Sequence, residues 1–125
     1  MAGLLGIVVT QGIEHSQLIR STMHTTKKIT LPQIALTTVK RGQLVAMVTA
    51  TNVWGLYDPA AVDGLQTPRA ILGMFNDVSL VAGPQVVQAY FAGEYNDRDI
   101  VWPVVNPAEK IAALKDLADR GIIVE

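Results

Sequence analysis

At 125 residues, half of them apolar and 17% charged, the chain is long enough for one domain with a real core, and its low charge density favours burial of some apolar surface against a partner. A formal net charge of −1 argues against a nucleic-acid binder held by phosphate neutralisation, and the absence of cysteine excludes disulfides and thiol chemistry. The charge is segregated, however. Up to Tyr57 there are five bases (Arg20, Lys27, Lys28, Lys40, Arg41) against the single Glu14, and from Asp58 onward ten carboxylates face five bases. Such polarity either steers contacts between copies or is simply solvated.

Met1 to Val9 is an apolar run without a basic leader, and Gln11, Glu14 and His15 interrupt it well short of ~20 residues, so it reads neither as a signal peptide nor as a membrane span. Its Leu4, Leu5, Ile7, Val8 and Val9 favour an extended strand that needs a sheet to join. Thr10 to Thr30 is polar and threonine-rich, with isolated apolar residues at Ile13, Leu18, Ile19 and Met23. It fits neither period and reads as an arm or linker, the alternative being the first strand and loop of the domain. The division drawn from sequence is therefore an extended arm over residues 1–31 and a β-rich domain over 32–125.

Within the domain Ile34, Leu36 and Thr38 alternate, Lys40-Arg41-Gly42 makes a turn, and Gln43 to Ala50 is a strong β run. After the Thr51-Asn52 turn comes a short strand from Val53 to Tyr57, stopped by Asp58-Pro59. A loop over residues 60–69, punctuated by Gly64 and Pro68, leads to a buried-strand candidate at Ala70 to Phe75. The Asn76-Asp77 turn, a strand at Val78 to Val81 and the Gly83-Pro84 break follow. In Val86 to Phe91 the residues Val87, Ala89 and Phe91 share one face; Gly93, Asn96 and Asp97 then break the run. Ile100 to Trp102 is a second short run ended by Pro103, and the two read as a hairpin or corner.

One helix is expected, from about Pro107 to Arg120. Asn106 can cap it, Pro107 occupies its first position and Glu109 can complete a capping box. Ile111, Leu114, Leu117 and Ala118 mark one face, Gly121 supplies a left-handed stop, and Ile122 to Val124 can return as a final strand.

Chemistry is sparse. The only histidines, His15 and His24, lie in the polar stretch; with Glu14 they are three candidate zinc ligands at no recognised spacing. Gly3 and Gly6 do not make a phosphate loop. Asp97 and Asp99 could do acid and base work, but they share an exposed turn with Arg98. No catalytic, cofactor-binding or metal-binding residue is assigned. Trp54, Tyr57, Phe75, Tyr90, Phe91, Tyr95 and Trp102 default to core packing, and Trp54, Tyr57 and Trp102 are the interface candidates, both tryptophans lying beside turns.

From about Lys40 to the C-terminus, about two thirds of the chain, the order and spacing of structural runs resemble the lambda-type head decoration proteins of tailed bacteriophages. The runs are RGQLVA, VWGLYDPAAVDG, AILGMF, VVQAYFAGEY, the aspartate turn before DIVWP, and a short helix followed by GIIV. The resemblance implies a mainly β domain of the β-clip type with one short C-terminal helix. It implies a non-enzymatic homotrimer, without cofactor, bound to the major capsid protein on the outer face of the expanded head at three-fold and quasi-three-fold sites. It also implies synthesis in the bacterial cytoplasm and no role for nucleic acid, membrane or small-molecule substrate. The family's N-terminal segment adds a strand to capsid protein, a role that falls here on Leu4, Leu5, Ile7, Val8 and Val9, although the lambda arm is more polar and proline-rich. Trp54, Tyr57 and Trp102 become candidates for a trimer or capsid interface. Two alternatives stand beside it: a tail or baseplate component using the same trimeric logic at another site, or a β-clip or related small barrel acting as a ligand-binding or enzymatic module with Asp58, Asp63, Asp97 and Asp99 near a subunit-interface pocket.

Overall fold

The longest strand organises the computed structural model, which describes residues 18, 19 and 24–125. This strand, β7 (Gln85–Tyr95), is the eleven-residue spine of a six-stranded sheet. Along one edge it pairs antiparallel with β1 (Thr25–Leu31), and at Tyr90 and Ala89 it pairs with β5 (Ala70–Leu72). Beyond β5 the sheet continues through β3 (Leu44–Val48) to β4 (Val53–Leu56), all antiparallel. β8 (Ile122–Val124) runs parallel to the last three residues of β7, and β2 (Thr38–Val39) pairs with β6 (Val78–Ser79) in a separate two-stranded ribbon. With α1 (Pro107–Asp119) preceding β8 in the chain, the protein is mainly β with one C-terminal helix, as the sequence indicates.

Both faces of the sheet are covered, which is why apolar residues run consecutively instead of alternating with polar ones. Leu44, Ile71 and Tyr90 point to a first core closed by Leu18, Tyr95, Ile100, Ala113, Leu117 and Ile122. Their chain neighbours Val45, Ala70, Leu72 and Ala89 point the other way, joining Ile29, Leu31 and Val87 beneath Val39, Met74 and Leu80. One strand period thus feeds two cores.

Several local expectations give way to pairing at a distance. Thr25–Leu31, placed with the arm on sequence grounds, is an edge strand of the sheet whose Ile29 and Leu31 are buried opposite Val87 and Gln85. With only two inward residues among threonines and lysines, its local signal is weak; the partner strand lies far along the chain. β7 does not break at Gly93. Gly93 has a positive φ of 125°, yet β8 pairs with Gly93, Glu94 and Tyr95 and carries the strand on. Nor do Ile100 to Trp102 form a hairpin with it. Asp97–Asp99 is a 3-10 turn, after which Val101 makes a single parallel bridge to Gln43, its amide donating to the Gly42 carbonyl at 2.9 Å.

Leu36, expected to alternate inward, sits instead in a turn with φ 58° and is exposed. β5 stops at Leu72, leaving Phe75 71% exposed. In α1 the capping box forms as expected: Asn106 Oδ1 accepts from the Glu109 amide at 2.8 Å, and Glu109 Oε1 accepts from the Asn106 amide at 2.9 Å. Gly121 has φ 86° at the stop. The inward face, however, is built on Ala113 and Leu117, and Ile111 points outward at 68% exposure.

Candidate functional site

The apolar residues Leu4, Leu5, Ile7, Val8 and Val9 lie outside the described residues, as do Glu14 and His15. What the structure places is the point where that segment joins the body. Leu18 is buried in the first core, and its carbonyl accepts the Asn96 amide at 2.7 Å, while Ile19 bridges to Tyr95. The C-terminus closes the same region: the Glu125 amide donates to the Tyr95 carbonyl at 3.0 Å and the Asp97 amide to the Glu125 carbonyl at 2.9 Å. The N-terminal segment is thus rooted in the layer formed by the 3-10 turn, residues 100–105, α1 and β8.

The three interface candidates separate. Tyr57 and Trp102 meet edge to face with ring centroids 6.5 Å apart, and with Gln43, Leu44, Leu56, Val101 and Pro103 they line a hollow of about 130 Å³. Tyr57 is itself buried, so it supports this hollow more than it offers a surface; Trp102 is half-buried. Burial raises the Tyr57 hydroxyl pKa, and the carboxylates of Glu109, Asp116 and Asp58 raise it further. Trp54 belongs to the second core. It packs edge-on against Phe91 at 5.6 Å and borders an open groove of about 510 Å³ between the sheet's edge strands, with Lys28, Ile29, Thr30 and Val53 among its other walls. Lys27 lies over the other ring of that pair, 5.4 Å from the Phe91 centroid.

The four aspartates do not converge on a pocket. Asp58 and Asp63 accept the amides of Ala60 and Leu65 in the loop after β4, and Asp99 pairs with Arg98 at 3.8 Å. Asp97 is a tether: Oδ1 accepts Trp102 Nε1 at 2.8 Å, and Oδ2 accepts Lys110 Nζ at 2.9 Å, with Lys110 also 5.1 Å from the Trp102 ring. Partial burial pushes its carboxyl pKa up, but the hydrogen bonds from Lys110 and Trp102, with the Lys110 charge, outweigh that and hold it below the ordinary value. The turn aspartates therefore order backbone and fasten α1 to the loop before it. His24 packs edge-on against Tyr90 at 5.3 Å, and among the described residues no group of three His, Asp or Glu is placed to hold a metal. No helix among the described residues is long and apolar enough to cross a membrane.

Two surface features escape sequence reasoning. Arg41 donates to the Gly73 carbonyl and to the Tyr90 hydroxyl, and its guanidinium lies over the rings of Phe75 and Tyr90, 4.8 and 5.4 Å from their centroids. This cation–π stack gives the exposed Phe75 its support. The exposure of Ile111 and, separately, of Val104 is the second, at 68% and 97%. The one advance signal for Ile111 is that Ala113 and Leu117 are themselves four apart and define a face that excludes it.

A comparison with curated proteins finds no match. The family model described as bacteriophage lambda head decoration protein D matches residues 8–122, which takes in every strand from β1 to β7, the helix and the first residue of β8. Covering nearly the whole of a mainly β chain with this element order, the match shows that the protein belongs to the bacteriophage lambda head decoration protein D family, structural components of the virion on the surface of the phage head.

Proposed function

We propose that this decoration protein works as a homotrimeric cement: three copies seat on the outer face of the expanded head at three-fold and quasi-three-fold positions, and each sends its N-terminal segment to add a strand to the major capsid protein. The observation that carries this reading is the family match across residues 8–122. Supporting it are a leading run of Leu4, Leu5, Ile7, Val8 and Val9 suited to an extended strand, and its attachment to a body anchored at Leu18. On this reading the arm comprises the residues ahead of Leu18, and the role requires no bond to be made or broken.

The energetics favour several arms acting together. Burying five aliphatic side chains yields at most about 7–15 kcal/mol, and ordering nine backbone positions costs about 9–18 kcal/mol. One arm is therefore marginal by itself. Backbone pairing, and the linkage of three arms through one trimer, raise the effective concentration and convert marginal contacts into firm attachment. Binding only the expanded lattice then stabilises that lattice by mass action. Deleting residues 1–9 tests the reading: the truncated protein should remain a folded trimer yet fail to co-sediment with expanded heads. Undiminished binding would remove the arm from the mechanism, and a strictly monomeric full-length protein would remove the trimer.

A further inference from the structure

Tyr95, Asn96 and Asp97 form a strip fastened along both edges. The backbone groups of an extended chain point alternately to its two sides, and here each side finds its own partner. On one side the Asn96 amide donates to the Leu18 carbonyl at 2.7 Å, and Ile19 bridges antiparallel to Tyr95. On the other, the Glu125 amide donates to the Tyr95 carbonyl at 3.0 Å, and the Glu125 carbonyl accepts the Asp97 amide at 2.9 Å. That pair of bonds extends by one residue the parallel ladder of β8, in which Val124 lies opposite Tyr95. The Asp97 side chain then fixes the exit of the strip, accepting from Trp102 Nε1 at 2.8 Å and from Lys110 Nζ at 2.9 Å.

We propose that residues 122–125 act as a strap that keeps Leu18 and Ile19, the root of the N-terminal segment, closed on the body. The strip between them is the shared element. Its backbone must hold one conformation to serve both edges, so loosening one edge weakens the bonds along the other. The strap is itself graded in strength. Ile122 is fully buried in the first core, Ile123 is 36% exposed, and Val124 packs only partly buried against that core. With three residues of paired strand, β8 opens most readily at its far end, where the two Glu125 bonds lie. Opening there breaks few contacts, yet it frees the strip and with it the bond from Asn96 to Leu18. Leu18 is the anchor at stake, since it is 1% exposed and holds the root in the first core. The strap therefore sets how readily this root separates from the body, whatever the residues before Leu18 bind.

The test is amide hydrogen exchange on the whole 125-residue chain, comparing Glu125→Pro with Glu125→Ala. Both variants lose the glutamate side chain, but only proline also removes the amide that donates to Tyr95. Asn96, bonded to Leu18, reports on the root. Arg69, whose amide donates to the Val45 carbonyl at 2.8 Å, reports on the second core. Relative to Glu125→Ala, Glu125→Pro should speed exchange at Asn96 by about tenfold and leave Arg69 within about twofold. The coupling is reciprocal. Leu18→Ala should therefore speed exchange at Asp97, bonded to Glu125, by more than it speeds exchange at Arg69. Leu18→Val gives the same comparison should the alanine variant not fold. Equal exchange at Asn96 in the two Glu125 variants overturns the proposal, and so does equal acceleration at Asn96 and Arg69, which would mean that β8 contributes only to global stability. Asp97 protection that merely follows Arg69 in the Leu18 variant overturns it as well.

Discussion

Replacing Leu117 by alanine, set beside the same change at Ile111, separates the helix face that sequence periodicity suggests from the face the fold uses. Leu117 is fully buried in the first core, where α1 has only Ala113 as a second fully packed residue. Truncating a leucine at such a site removes its transfer energy and leaves a cavity, at about 2–5 kcal/mol. That is a large share of a total stability of about 5–15 kcal/mol. For a chain of 125 residues the unfolding entropy is ~0.26 kcal/mol/K, so the melting temperature should fall by about 8–19 °C. Ile111→Ala removes a side chain already mostly in water and substitutes a better helix former, so its cost should stay within about 0.5 kcal/mol, or roughly 2 °C. Both melts are followed by circular dichroism at one fixed protein concentration, because self-association would make the midpoint concentration-dependent. Equal losses at the two positions, or a loss below about 1 kcal/mol at Leu117, would refute this packing of the helix.

Three further outcomes follow from particular side chains. The folded-state pKa of Asp97 lies below the ordinary 3.8, so its contribution is present above that value and is lost as pH falls through the folded pKa. Asp97→Asn should therefore lower the urea midpoint at neutral pH and flatten its acid limb below about pH 4; an unchanged acid limb would count against the tether. Tyr95 has its hydroxyl pKa raised well above 10, chiefly by burial and then by Tyr90, with Arg41 opposing. The folded protein keeps it neutral where the unfolded chain ionises, so stability should fall as pH rises from 10 upward. Tyr95→Phe should suppress that fall while costing about 1 kcal/mol at neutral pH for the bond to the Ala92 carbonyl. Phenolate absorbance from this residue below pH 10 in the folded protein would contradict the assignment. Gly42 has φ 93°, and a Cβ there would collide with the Asp99 carbonyl oxygen, a backbone atom that cannot swing aside. Gly42→Ala should lower stability by about 1–3 kcal/mol or more, measured as a drop in melting temperature, and hydrogen exchange should show the Val101 amide opening before the rest of the sheet.

The parts legible in the sequence are those whose determinants sit within a few residues of one another. The capping box of Asn106 and Glu109, Pro107 at the first turn and the Gly121 stop bound the helix without any help from the rest of the chain. The runs at Leu44–Val48, Val53–Leu56 and Ala70–Leu72 are apolar enough to be strands in any context, and β8 follows the helix stop directly. The three interface candidates divide between the cores: Tyr57 and Trp102 meet edge to face, and Trp54 packs elsewhere. Trp54 looks equivalent to Trp102 by its place beside a turn, yet one faces the second core and the other the first.

Residue order alone thus determined the strand runs of β3, β4, β5 and β8, the limits of the helix and the family to which these runs belong, because propensity, capping and turn chemistry act over short spans. Tertiary structure decided the rest. β1 became an edge of the sheet through pairing with β7, and β7 passed through Gly93 because β8 lies alongside it. The 3-10 turn sent the chain to Gln43 and not back along β7, and the choice of Ala113 and Leu117 as inner residues turned Ile111 to the surface. The physical reason is common to all four: a marginal local preference yields to whichever long-range partner buries more apolar area and satisfies more backbone groups, and that partner is set by the whole fold.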